Sequence, residues 1–228
     1  MKKILLGAVC CLSLFAYACN KAATPEEEFA NYVQAAEDKS NKGDFKGAIE
    51  DFKSALNIKP DSPDILVKLS DLQMRTQDTD AALENSNKAV ALRGTSVDYL
   101  HNAEAKYSSG KYQEAMTDVE KSLSIDSKDP WAYFVRAEIK LATGDKTGAK
   151  NDVVSAMEKD SDVEGFRHGV YNLFKARLER EIGDKKVALE NMDAGIKIMK
   201  SMGEGFVPNE EIRKLEDERA DMEKGLNN

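Results

Sequence analysis

The chain has 228 residues, of which 32% are charged and 7% aromatic, with five prolines and a formal net charge of −8. That balance suits a helical, two-layered surface rather than one thick globular core. The acidic field disfavours nucleic acid as a partner, because phosphate contact depends on Lys and Arg, and suits a basic one.

Lys2 and Lys3 precede an apolar run from Ile4 to Ala18, shorter than the roughly 20 residues a spanning helix needs and ending in small side chains. Residues 1–18 are therefore expected to be a cleaved export signal. Losing Lys2 and Lys3 with it would take the net charge from −8 to about −10. Ala16-Tyr17-Ala18-Cys19 reads in two ways. Ala-x-Ala suits ordinary signal peptidase, whereas a small residue before Cys resembles a bacterial lipobox, with Ala16 where Leu is usual and a bulky Tyr17. Cys10 and Cys11 leave with the signal and no cysteine follows Cys19. A single unpaired thiol at a new N-terminus favours a lipid anchor there, with several acyl chains holding the protein at a membrane. Residues 19–28 would then be anchor and polar tether. The expected address is a bacterial envelope membrane, the outer one by preference, facing periplasm or surface; a soluble periplasmic or secreted protein is the alternative.

From Phe29 onward one pattern returns five times. Anchored on Ala48, Ala82, Ala115, Ala149 and Ala188, the steps are 34, 33, 34 and 39 residues, a period that signals stacked helical hairpins. Twelve residues before each anchor stands a small residue: Ala36, Ser70, Ala103, Ala137 and Ala176. Five before it come Gly43, Gln77, Gly110, Gly144 and Gly183, where the turn needs an angle that suits Gly. Phe52, Val119, Val153 and Met192, four residues after their anchors, begin one apolar face of the second helix.

The first unit carries Tyr32, Ala36, Gly43, Phe45, Ala48, Phe52, Ala55 and Pro60 in sequence, and this set resembles the tetratricopeptide repeat. The resemblance covers residues 29–202, in units of about 29–62, 63–95, 96–129, 130–163 and 169–202. It implies an all-α, right-handed superhelical solenoid of about five helix-turn-helix units. The second unit departs most, with Gln77, Thr79 and Ser86; the fifth has Asn172 and Lys185 where bulky groups are expected. Five extra residues around 160–168 read as a longer loop or an extended helix start. Residues 203–228 are expected to form a capping helix and tail, with Asn209 as its cap and Ile212, Leu215 and Met222 as a thin apolar stripe.

Catalytic constellations are nearly absent. His101 and His168 are the two histidines, neither read as having another donor at ligand spacing, so no catalytic, cofactor or metal residue is assigned. An enzyme or enzyme subunit with a site near Glu164, Arg167 and His168 is the competing class, and a self-associating structural protein a third.

Alignment of the units brings out a ladder. Eleven residues before each anchor stand Glu37, Asp71, Glu104 and Glu138, then Arg177. In the family this place faces the concave groove. Four residues earlier come Val33, Val67, Leu100, Phe134 and Leu173, and one turn beyond the acids come Ser40, Met74, Tyr107, Leu141 and Arg180. The resemblance thus implies an acidic strip beside an apolar one, suited to a protein or peptide with basic and apolar residues. Acids here would repel the terminal carboxylate that chaperone-tail-binding members hold with Lys and Asn. The expected function is a non-catalytic interaction adaptor of the envelope, in envelope, pilus or secretion assembly.

Overall fold

The structure, a computed structural model, describes residues 23–203 and 207–225. The expected export signal and Cys19 lie outside the described residues. Those described form eleven α-helices and no strand: α1 Pro25–Asn41, α2 Phe45–Ile58, α3 Pro63–Arg75, α4 Thr79–Leu92, α5 Ser96–Ser108, α6 Tyr112–Ile125, α7 Pro130–Ala142, α8 Lys146–Lys159, α9 Phe166–Ile182, α10 Lys185–Ser201 and α11 Asn209–Lys224. None is long and apolar enough to cross a membrane.

Local chemistry sets the boundaries. Thr24 accepts from the Glu27 amide while Glu27 accepts from the Thr24 amide, and Pro25 opens the first turn. Residues 25–28, expected in the tether, are therefore helical, with Glu26, Glu27 and Glu28 at the positive end of the dipole. Asp44, Asp78, Asp145 and Asp184 cap α2, α4, α8 and α10 from the same place in their units, each accepting an amide three residues on. Pro208, rather than Asn209, holds the cap position of α11.

The turns follow the expected register. Gly43, Gly110, Gly144 and Gly183 have φ between 73° and 106°, and Gln77, in the same place, has φ 64°. An L residue with a Cβ is strained there, so α3 and α4 are joined by the least favourable turn of the five.

Each odd-numbered helix of the array packs on the even-numbered one that follows it, and α3 to α5 and α5 to α7 also touch, which makes the odd helices an inner layer. The five anchoring alanines and the five small residues facing them are all buried, because the paired helices approach too closely for larger side chains. The apolar core runs as a chain of clusters at the seams between units, and the departures from the repeat are satisfied in place. Buried Ser86 donates to Asn102 (2.9 Å), which donates to Asp118 (2.8 Å), so a hydrogen-bonded chain replaces the missing aromatic. Buried Asn172 donates to the His168 carbonyl one turn earlier.

The five extra residues give both a loop, 160–165, and a longer α9 of 17 residues. Val207, Ile212, Leu215 and Met222 pack against Leu173, Met192, Ile196 and Met199, so α11 covers the last apolar face of the stack.

Candidate functional site: the concave face

Glu37 on α1, Asp71 on α3, Glu104 on α5 and Glu138 on α7 line three neighbouring depressions of one face. The first, about 330 Å³, has Glu37, Asp71 and Arg75 in its wall. The second, about 850 Å³, has Asp71, His101, Glu104 and Trp131. The third, about 260 Å³, has Phe134, Glu138, Leu173 and Arg177. Asp71 and Arg75 are shared by the first two and Phe166 by the last two, so the depressions form a continuous groove.

The acids are not a free ladder. Lys68 binds Glu37; His101 Nδ1 lies 2.8 Å from Asp71 and 3.3 Å from Glu104; Trp131 Nε1 donates to Glu104 at 2.7 Å. Every one of these partners except His101 for Glu104 comes from the following unit, 27 to 31 residues away. Arg75, one turn beyond Asp71 on α3, forms no ion pair with it; its guanidinium lies over the Phe45 ring at 3.9 Å. Arg177 is also engaged: it makes a forked bond to Glu218 of α11, with a 2.8 Å contact at Nη2, and Arg180 approaches the same carboxylate at 3.6 Å.

Glu138 differs. Lys68 and His101 stand fourteen residues before their anchors; in the fifth unit that place holds Phe174, an apolar ring packed edge-on to Phe134 at 5.3 Å. Glu138 therefore has no hydrogen bond or ion pair among the described residues. Burial, and secondarily the charge of Glu104, push its carboxyl up to about 7. Tyr107 borders it, its hydroxyl raised by burial and by the Glu138 charge, with the Tyr112 ring 5.7 Å away.

The apolar strip is corrected by the structure. Val67, Leu100, Phe134 and Leu173 are buried and Val33 half-buried, and they fill the seams between hairpins rather than lying open along the groove. Helical side chains tilt toward the N-terminus of their helix, which carries this position into the neighbouring unit. Phe134 and Leu173 still reach the third depression, together with Phe166, Val170 and Phe174.

His101 is the candidate site residue that sequence reasoning passed over. It sits three residues before Glu104, on one helical face, and α3 presents Asp71 to it from the preceding unit. Burial opposes its charge, but Asp71 and then Glu104 outweigh that and raise the imidazolium to about 10. Around the insertion, Glu164 faces a cleft with Val163, Lys197 and Ser201, while the His168 ring packs edge-on to Tyr171 at 6.0 Å.

The chain has the fold of tetratricopeptide-repeat solenoids, an architecture that serves in general as a protein-interaction scaffold and is generally non-catalytic. The tetratricopeptide repeat family model matches residues 42–107. No curated protein sequence matches the chain. Among solved structures, the thermophilic tetratricopeptide-repeat protein TTC0263 of Thermus thermophilus is similar with a TM-score of 0.68 at 16% identity, over 85% of this chain and 98% of that one. The pilF protein of Pseudomonas aeruginosa is similar with a TM-score of 0.62 at 16% identity, over 84% and 90%. YrrB, described as a tetratricopeptide-repeat protein with an unusual peptide-binding site, gives 0.51 at 14% identity, over 73% and 84%.

Proposed function

We propose that this chain is a non-catalytic adaptor of the bacterial cell envelope, lipid-anchored through Cys19, whose concave face holds a protein segment bearing basic and apolar side chains during envelope, pilus or secretion assembly. The observation that carries the groove reading is Glu138: a desolvated carboxylate without a partner, at the rim of a depression walled by Phe134, Phe166, Leu173 and Phe174. A Lys or Arg beside an apolar residue would relieve its desolvation and fill the space below. The net charge of −8 steers the same kind of partner, and YrrB's described peptide-binding site is a precedent on this fold. The export pattern of residues 1–18 and the lone Cys19 support the address.

A labelled peptide alternating Lys and Leu should bind the wild-type protein and be lost with Glu138→Lys, while its Glu-for-Lys counterpart binds neither. Equal binding of both peptides, or retention by a folded Glu138→Lys protein, would remove the groove reading. Cys19→Ser should move the protein from membranes to the soluble fraction; unchanged fractionation would leave ordinary Ala-x-Ala cleavage.

A further inference from the structure

We propose that Asp71, His101 and Glu104 form a binding site for a divalent transition-metal ion, with zinc the best match to the donors. One ligand atom from each residue lies within 4.8 Å of the other two. His101 Nδ1 is buried and stands 2.8 Å from Asp71 Oδ1 and 3.3 Å from Glu104 Oε2, yet neither oxygen is aligned to accept a hydrogen bond from it. Two acceptors beside one ring nitrogen, both off its axis, favour its charge without closing an aligned hydrogen bond. They are well placed for an ion: bonds of about 2.1 Å to imidazole and carboxylate put neighbouring ligands of an octahedral or tetrahedral ion roughly 3.0 to 3.4 Å apart.

The surroundings fit as well. Glu104 and His101 are three residues apart on α5, so one helix face presents both, and Asp71 comes from the rigidly stacked α3. Trp131 Nε1 holds the other Glu104 oxygen at 2.7 Å, which orients the carboxylate as the outer partners of metal ligands do. All three side chains line the 850 Å³ depression, leaving a way in and coordination positions open toward the groove. Arg75, the cation in the same wall, is stacked over Phe45. An ion binding here displaces the His101 proton, and the two carboxylates and the neutral imidazole that remain carry two negative charges, which a divalent ion balances. An imidazole in the set favours zinc over calcium or magnesium, which prefer oxygen alone.

The chain contains one tryptophan, Trp131, so the site has its own reporter. The full chain, with Cys10, Cys11 and Cys19 blocked by alkylation, is titrated with zinc chloride and followed by Trp131 emission and calorimetry. One equivalent should bind at micromolar zinc and shift the emission, with magnesium silent at the same concentration. His101→Gln and Asp71→Asn, each checked for native helicity, should weaken zinc at least tenfold. Wild-type protein without saturable zinc binding at micromolar concentration, or folded variants that bind zinc as tightly as wild type, would overturn the proposal.

Discussion

Trp131 donates its indole hydrogen to Glu104 across 2.7 Å, joining α7 to α5 through side chains 27 residues apart. The ring also stacks at 5.0 Å from Phe134 and 6.3 Å from Tyr171. Trp131→Phe keeps much of the packing and removes the donor to a half-buried carboxylate. It should cost about 1 to 2 kcal/mol in urea unfolding followed by circular dichroism. A change within error would mean that water replaces the indole without loss.

Glu138 should set a pH dependence of stability. Its carboxyl is raised to about 7 in the folded chain from an ordinary 4.5, so between those values the folded state keeps a proton that the unfolded state gives up. Stability therefore falls as pH rises from about 4.5 to 7 and levels off above. Glu138→Gln should remove the decline and be more stable than wild type at pH 8 by roughly 2 kcal/mol, after discounting for partial exposure. Parallel pH profiles for the two proteins would contradict this. Removing the same carboxylate should also weaken the Lys-Leu peptide, since Gln offers no charge to the cation.

Gln77 occupies a left-handed turn at φ 64° where the other four units have Gly. Gln77→Gly relieves that strain at a smaller entropic loss and should stabilise by about 0.5 to 1 kcal/mol. Thermal melting would register it as a rise of a few degrees; a fall would show that the turn tolerates Gln without strain.

Ala137 is fully buried opposite Ala149, where α7 and α8 pack against each other. Ala137→Leu forces them apart and should cost about 1 to 3 kcal/mol. An unchanged melting temperature would place this residue outside the helix contact.

Much of this was legible from residues alone. The 33- and 34-residue steps locate the helix pairs, because a close crossing tolerates only small side chains and recurs once per hairpin; Ala36, Ser70, Ala103, Ala137 and Ala176 are all fully buried. The positive angles at the turns follow from four glycines in register, and they extend to Gln77, which composition alone would not have marked. The shared register of Glu37, Asp71, Glu104 and Glu138, eleven residues before each anchor, was readable for the same reason.

Stacking alone decided which atoms meet those acids. Lys68, His101 and Trp131 come from the next hairpin, and their reach depends on how far each unit rotates over the last, a quantity that no local pattern encodes. That rotation pairs three carboxylates and sets Phe174 against the fourth. It also drew the supposed apolar strip into the seams, and let α11 take Arg177 through Glu218. The one-dimensional chain thus determines the period and the inward-facing positions, through spacing and side-chain size. Charge pairing, desolvation and the convergence on His101 arise between units, where electrostatics acts over ångströms and sequence distance has no meaning.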